Sequence, residues 1–584
     1  MKQKLIELTA VIILLLPIIS PVFKPYVSGT ADGLGHKFRL VSFYTSLEEG
    51  NLRPRWAKEA AFGFGAPIFI YNYPLPYYLG SLFVKLGNSI NRSGQLLSAF
   101  SFFFSGVLMF IAARRLTNSF WGGITSAIVY AHAPYHLQMS YLYGAWGEEL
   151  AFVFPPLILY LIIYLAQKNK NRPLTILCYV ALIFSWVLFA LAHNLSAVML
   201  SPMLLFLGFI ALDFKWKKFL ILLNAFFLVI LLSAFFWLPG LKLVNEVKYP
   251  ELLLSEGMMR GAFFKSLSFQ LETAVKVIRE GITHYLDFTV GLPIMLGGGI
   301  ALITLIASFL SRHTKEEKLS KGVAFYWIFG LLMFLIVCLF LVNNASSKVW
   351  QLPLVLWMPP SYILYPFRFL IAASFVGALL VGILVRKSFI LALIFVILAI
   401  IQGRPYTNPY TDTFPFPDSY FWQKQTVFAA PFTRKNLIII EHLPKQANLT
   451  FLKQEEDKYY QEYYAGKANE KRDEAFISSG EGTLSDIQSF SERMNLKLEA
   501  KREVTLTINR FYFPNWQAYL DGKFVPIHAD SSGRMTVTVT GGIHYFSLVF
   551  GLAPIEKISH IITFIGLILL VIEITAVRGK LLIP

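Results

Sequence analysis

The chain has few charges for its length and very few cysteines. Only 15% of its 584 residues are charged, whereas 55% are hydrophobic. Its two cysteines, Cys178 and Cys338, both fall inside apolar runs. This pattern predicts neither a disulfide framework nor a thiol metal site, and buried, inert thiols are the expectation. The scarcity of charge indicates a chain whose surroundings are largely a bilayer.

Long apolar runs are abundant. We count twelve that approach or reach the roughly 20 residues a helix needs to cross a membrane. The predicted spans are Leu5–Val22, Leu96–Ala113, Phe120–Gln138, Leu150–Ala166, Leu174–Ala192, Leu195–Leu212, Phe219–Pro239, Gly291–Leu310, Val323–Val342, Phe367–Val385, Phe389–Gln402 and Ile558–Ala576. No small-residue cleavage site follows the first run, so we interpret it as a retained span and not as a signal peptide.

The basic residues predict the orientation. Seven clusters of Lys and Arg, at the amino terminus, at every second connection and after the last span, hold 18 positive charges against three acids. They carry 15 of the net charge of +17. By the positive-inside rule these clusters and both termini are cytoplasmic. The basic balance therefore indicates topology, and we expect no nucleic-acid partner.

The connections on the opposite side are long, which places function there. Residues 23–95 form the first, and residues 139–149 a short second one. The third, residues 240–290, contains Arg260 and Lys265 and an amphipathic stretch that suits the membrane interface. This third connection either merely covers the helical bundle or becomes ordered over a bound lipid phosphate.

The largest outer segment is residues 403–554, and its end has a β pattern. Val504–Ile508 and Met535–Thr540 alternate apolar residues with threonine, and Asp521-Gly522 is a strong hairpin signal. We expect a small antiparallel β-sandwich. Three of its aromatic residues could stack on sugar, but core packing is the default expectation for strand aromatics; they are Tyr512, Trp516 and Tyr519.

Ionisable residues recur at the predicted outer edge of the membrane, where each needs a partner or a purpose. They include Asp32, His36, Arg39 and Arg55 of the first loop, Glu148 of the second, His193 between the fifth and sixth spans, and Arg368 at the start of the tenth. Each alone has an ordinary interpretation: Asp32 could cap a turn, His193 could end a helix, and Arg368 could reach to the interface.

Together with the sequence around them, these residues resemble the GT-C class of membrane glycosyltransferases. More narrowly, the chain is similar to membrane proteins labelled 6-pyruvoyl-tetrahydropterin synthase-related and to YfhO-like proteins. The motifs that carry the resemblance are Asp32–Arg39, Pro54-Arg55-Trp56, Gly63–Pro67, Pro74-Leu75, Trp146–Ala151, His193-Asn194, Pro366–Phe369, and the YFPNWQAYLDGK and GGIHYFSLVF segments. The three-histidine metal cluster of a pterin synthase is not found in the sequence.

The resemblance implies transfer of a sugar from a polyprenyl-phosphate-linked donor to a glycan, lipid or protein acceptor, outside the plasma membrane of a prokaryote. It implies Asp32 as the general base and Glu148 as a second acid. His36, Arg39, Arg55, His193, Arg260 and Arg368 are the implied phosphate or sugar contacts. Many GT-C enzymes have two adjacent acids in this loop. Here Gly33 follows Asp32, which favours a base without a tightly bound metal, although Mg²⁺ or Mn²⁺ stays open.

We expect residues 1–402 to form a GT-C-like transmembrane domain, residues 403–554 an outer β-rich domain, and residues 555–584 a final span with a cytoplasmic tail. Two other functions remain open. One is a flippase of lipid-linked glycans, for which the sequence shows no inverted repeat. The other is a non-catalytic scaffold that binds envelope glycan through the β domain.

Overall fold

A computed structural model of the protein describes residues 2–24, 32–167, 172–249, 272–273, 275–276, 288–310, 315–349, 365–407, 418–422, 442–464 and 473–577. The helices in this part of the chain are α1 Lys2–Ile19, α2 Gly33–Glu48, α3 Ile68–Tyr71, α4 Leu75–Lys85, α5 Ile90–Thr117, α6 Phe120–Ala131, α7 Pro134–Gln138, α8 Trp146–Ala151, α9 Phe154–Ala166, α10 Arg172–Ala192, α11 Asn194–Ala211, α12 Trp216–Leu232, α13 Ala234–Lys242, α14 Leu292–Leu310, α15 Lys315–Val342, α16 Phe369–Val385, α17 Phe389–Gly403, α18 Asp418–Trp422, α19 Leu449–Tyr464 and α20 Pro554–Val577.

Ten helical segments in the described ranges are long and apolar enough to cross a membrane, and a bent pair makes up to eleven. Local sequence sets their ends. Before α5, Ser89 accepts a hydrogen bond from the backbone N–H of Arg92 at 3.1 Å, and after it Asn118 adopts the left-handed conformation with φ 49°. Both are standard helix-end devices. The chain is thus a mainly helical, multi-pass membrane protein, as the sequence predicts.

Two of the twelve predicted spans differ from the prediction. The predicted span 120–138 ends as α6 at Ala131, because Pro134 disfavours helical geometry at the residue before it. The predicted span 219–239 bends by 62° at Ser233, between α12 and α13. There the Ser233 hydroxyl donates to the carbonyl of Val229 at 2.7 Å, a contact that often bends helices.

The β prediction is confirmed. Among the described residues, nine strands form two sheets, a four-stranded sheet in the order β1-β4-β8-β7 and a five-stranded sheet in the order β2-β3-β9-β5-β6. The strands are β1 Ala475–Ser479, β2 Gly482–Ser489, β3 Arg493–Ala500, β4 Val504–Phe511, β5 Trp516–Leu520, β6 Lys523–Val525, β7 His528–Ala529, β8 Arg534–Val539 and β9 Gly542–Phe550. Alternate residues of β3 and β8 are buried, so the two sheets enclose one core.

The hairpin forms where the sequence places it. β5 pairs with β6 so that Leu520 opposes Lys523, and Asp521-Gly522 is the two-residue turn. Both turn residues have positive φ, 50° for Asp521 and 77° for Gly522, as a type I′ turn requires. The default expectation also holds for Trp516, which is 4% exposed in the core of the sandwich.

The part of the first loop that follows residue 31 packs against the sandwich. Trp56 is fully buried, with its ring edge-to-face against Trp516 at 5.2 Å between centroids. Phe64 packs against Phe511 at 5.1 Å, and its carbonyl accepts a hydrogen bond from the backbone N–H of Phe511 at 2.8 Å. The same loop also supplies α2 and α4, which lie against the helical part. It therefore joins the two parts of the molecule.

Candidate active site

Residues from three distant parts of the chain meet around the carboxylate of Glu148. This residue lies in α8, a short helix whose side chains are all buried. Arg368, at the start of α16, places its Nε 2.7 Å from Oε1 of Glu148. His193, between α10 and α11, places its Nε2 3.6 Å from the same oxygen. The structure thus brings His193 and Arg368 to the same carboxylate oxygen of Glu148.

Both oxygens of Glu148 are engaged. The hydroxyl of Tyr135 donates to Oε2 at 2.6 Å, while Oε1 faces Arg368 and His193. A carboxylate held by an arginine and a tyrosine is a poor proton acceptor, because taking a proton would break its ion pair. Glu148 is placed to hold these side chains. The one sign of Tyr135 in the sequence is that it follows the Pro134 break.

The orientation of His193 is set by the helix that follows it. Nδ1 of His193 accepts a hydrogen bond from the backbone N–H of Ser196 at 3.2 Å, so the imidazole caps the amino terminus of α11. A ring nitrogen that accepts from a backbone N–H carries no proton. The proton of the neutral ring therefore lies on Nε2, which faces Glu148. The edge of Tyr73 packs against the ring at 5.1 Å.

Asp32 lies directly before α2. Its backbone N–H donates to the carbonyl of Tyr143 at 2.8 Å, which ties the first loop to the segment that precedes α8. The side chain makes no capping hydrogen bond, so the turn-capping interpretation of this residue is not what the structure shows. Its carboxylate interacts electrostatically with Arg39, Glu148 and Arg368, and it keeps some accessible surface.

Burial sets the protonation of the first-loop residues. Loss of water raises the pKa of Asp32 from 3.8 to about 6, and the neighbouring positive charge of Arg39 opposes that rise. Burial, together with the same arginine, holds the pKa of His36 well below its usual range. At neutral pH the site therefore has an ionised Asp32 and a neutral His36.

His36 and Arg39 are held by two aromatic residues outside the predicted set, Tyr77 and Trp146. The imidazole of His36 stacks on Trp146 with 5.3 Å between centroids and an interplanar angle of 13°. The Tyr77 hydroxyl lies 2.8 Å from Nδ1 of His36 and is also hydrogen-bonded by Arg39. Trp146 begins the Trp146–Ala151 motif, and Tyr77 lies two residues after the Pro74-Leu75 motif. These motifs are the sequence signal that could have identified both residues.

Arg55 is a correction to the predicted set. It lies with Glu492 and Glu556 at the contact of the first loop with the sandwich and α20, at 2.8 Å and 3.4 Å respectively. Its guanidinium also donates to the carbonyls of Phe550 and Gly551. Arg55 thus pairs with one buried acid of the sandwich and one of α20, 437 and 501 residues away, and not with Glu148. Arg260 lies outside the described residues.

The site shows no fit to a metal ion. In the described ranges, no group of three or more His, Cys, Asp and Glu side chains is arranged to hold one. The oxygens of Glu148 already accept from Tyr135 and face Arg368, so they are not spare ligands. The reaction proposed below therefore uses neither Mg²⁺ nor Mn²⁺.

No family model and no curated protein matches this chain. Among solved structures, it resembles the oligosaccharyltransferase of Archaeoglobus fulgidus in the apo form, with 13% identity and a TM-score of 0.43 over 74% of this chain and 60% of that one. The same enzyme tethered to an acceptor peptide gives 14% and 0.44, over 79% and 70%. The mycobacterial arabinofuranosyltransferase AftD gives 14% and 0.35, over 73% and 27%.

The chain therefore spans about 60% of the first of these structures and about a quarter of AftD. None of the matches supports the pterin-labelled or YfhO-like subfamilies. With TM-scores below 0.5, these likenesses leave the function to be argued from the site itself.

Proposed function

We propose that this protein is a GT-C-type membrane glycosyltransferase that moves a sugar from a polyprenyl-phosphate-linked donor to a hydroxyl acceptor. The observation that carries the proposal is the state of Asp32. It is a carboxylate without a capping bond, beside Arg39 and next to an arginine that Glu148 holds in place. Such a group can take a proton, and fixed cations beside it can receive an anion.

These residues can account for each proton and each bond of the transfer reaction. The acceptor hydroxyl attacks the anomeric carbon, and its proton passes to the Asp32 carboxylate. A new bond forms between the acceptor oxygen and the anomeric carbon as the bond from that carbon to the phosphate oxygen breaks. The carrier phosphate leaves with the bonding electron pair. Arg39 and Arg368 are the donors we assign to its growing negative charge.

Glu148 acts in this proposal by positioning. It fixes Arg368 through Oε1 and keeps His193 at the same place, so the cation need not reorganise when the phosphate becomes more negative. A guanidinium has five N–H groups, so Arg368 can donate to more than one acceptor while it faces Glu148. The first assignment of Glu148 as a second acid is thereby replaced by a positioning role.

Sidedness is part of the proposal. The positive-inside pattern puts the sandwich, and with it the Asp32 site, outside the cell. A cysteine introduced for Lys523, an exposed residue next to the hairpin turn, should react with an impermeant thiol reagent in whole cells once Cys178 and Cys338 are replaced by serine. Labelling only after lysis would contradict the orientation.

The full-length protein in proteoliposomes tests the function. Purified protein should release free polyprenyl phosphate from a panel of labelled polyprenyl-phosphate sugars and move the label to a water-soluble or lipid acceptor. A flippase would move the intact lipid across the bilayer without cleaving it, and a scaffold would do neither. Either of those two results would overturn the proposal.

A further inference from the structure

The hydroxyl of Tyr77 has two partners of different kinds. One is Nδ1 of His36, at 2.8 Å, and the other is the side chain of Arg39. Tyr77 is fully buried, and burial raises its pKa, so its proton stays on the oxygen. Neither His36 nor Tyr77 has a further side-chain hydrogen bond in the part of the chain that the structure describes.

These partners leave one satisfied arrangement of protons. An arginine only donates, so the Tyr77 oxygen accepts from Arg39. The single proton of the hydroxyl then needs an acceptor, and Nδ1 of His36 is the one within reach. If Nδ1 carried the proton instead, the buried hydroxyl proton would have no acceptor, which is costly. Nδ1 is therefore unprotonated, and the proton of the neutral imidazole lies on Nε2.

The stack on Trp146 completes the arrangement. The stack, with an interplanar angle of 13°, holds the plane of the His36 ring, and a flip of the ring within that plane would break the hydrogen bond between Nδ1 and Tyr77. Its Nε2–H is thus presented in one direction, on α2, the helix that follows Asp32, and it has no hydrogen-bond partner among the described residues. His36 also interacts electrostatically with His193, which lies across the same site.

We propose that Tyr77 is a positioning residue that sets the tautomer of His36, and that Nε2–H of His36 donates to a phosphoryl oxygen of the lipid carrier. The inference rests on the proposed function and names one contact within it. The relay runs from Arg39 through Tyr77 to His36, so one arginine orients a neutral donor while it also contributes its charge. A neutral N–H donor suits a leaving phosphate because it can stabilise the phosphate by a hydrogen bond while it keeps its own proton.

Isosteric substitutions of His36 test which nitrogen acts. The carboxamide nitrogen of glutamine reaches about where Nε2 lies, whereas that of asparagine reaches about where Nδ1 lies. The probe is farnesyl phosphate, binding to the full-length protein in nanodiscs. We expect His36→Gln to bind within about threefold of the wild type and His36→Asn to lose about tenfold. Equal losses, or tighter binding by His36→Asn, would overturn the assignment.

A double-mutant cycle tests the role of Tyr77. Tyr77→Phe removes the hydroxyl and should weaken farnesyl phosphate binding by about tenfold in the wild type. In the His36→Gln background no tautomer remains to be set, so the same change should have little further effect. An equal loss in both backgrounds would show that Tyr77 acts by packing alone, and would overturn its role.

Tyr78→Phe is the matched control. It removes a neighbouring hydroxyl that donates to the carbonyl of Leu52 at 2.7 Å, away from His36. It should bind farnesyl phosphate like the wild type, with the same melting temperature. The arms also separate the two proposals. If the wild-type protein does not bind farnesyl phosphate, the proposed function is contradicted. If the wild type binds it and both His36 variants bind equally well, only the assignment of the His36 tautomer is contradicted.

Discussion

Two charged clusters draw on the same first loop, yet they differ in how completely their groups are satisfied. In the Arg55 cluster, the guanidinium meets two carboxylates and two backbone carbonyls, and Glu556 also accepts from the backbone N–H of Ala553. In the Glu148 cluster, Glu148 is equally engaged, but Asp32 has no capping bond and Nε2 of His36 has no partner among the described residues.

This difference shows that burial and charge alone do not identify a substrate-binding site. Arg55 is 8% exposed and Glu556 is fully buried, so by burial the Arg55 cluster is as extreme as the other. A buried ion pair whose hydrogen bonds are all made holds parts of a fold together, and removing one partner costs more than the pair contributes. A substrate can instead bind to polar groups that lack a protein hydrogen-bond partner and lie beside a cation fixed in place by an ion pair.

The largest expected effect comes from removing the base. Asp32→Asn keeps the shape of the side chain and loses its basicity, so sugar transfer should fall by about 100-fold or more. Farnesyl phosphate binding and the melting temperature should stay near those of the wild type. Asp213→Asn, at an exposed aspartate paired with Lys215, is the control and should transfer normally. Wild-type turnover in Asp32→Asn would remove the catalytic assignment.

The Arg55 cluster should respond in the opposite way. Arg55→Met leaves Glu492 and Glu556 buried without their cation, and we expect the free energy of unfolding to fall by about 3 kcal/mol. Chemical unfolding in detergent, followed by the fluorescence of the buried Trp56 and Trp516, would measure it. If the protein kept its stability but lost transfer, Arg55 would belong to the site after all and the comparison would fail.

The pH dependence of transfer separates the clusters more finely. The base must be ionised, and burial raises the pKa of Asp32 to about 6, so activity should fall on the acid side of that value. At pH 5 about a tenth of the carboxylate is ionised, which predicts a rate about tenfold below the plateau reached above pH 7. Initial rates between pH 5 and pH 8 would show it, and a flat profile across that range would contradict the role of Asp32.

The smallest effect is expected at a surface pair. Lys501 lies 3.2 Å from Glu481, and both side chains are more than 80% exposed. Lys501→Met should leave both the melting temperature and sugar transfer unchanged, because exposed pairs contribute little. A loss comparable to that of Arg55→Met would show that pairing, and not burial with complete hydrogen bonding, stabilises the sandwich.

Much of the fold and part of the site could be predicted from local sequence. Apolar length predicted most of the spans, and Asp521-Gly522 predicted a hairpin in its observed register. The breaks at Pro134 and Ser233 were missed, because hydropathy measures composition and not the continuity of a helix. The domain limits and the catalytic roles stay predictions.

Local sequence identifies which residues stand at the predicted membrane edge, since that depends on distance along the chain from apolar runs. It therefore identified Asp32, Glu148, His193 and Arg368 as a set. Tertiary structure sets which of them are engaged, because their hydrogen-bond partners come from elements distant along the chain. It removed Arg55 to the sandwich, gave Glu148 its arginine and tyrosine, and left Asp32 without a cap. Position along a chain is local information, whereas satisfaction of a buried polar group depends on how the whole chain packs.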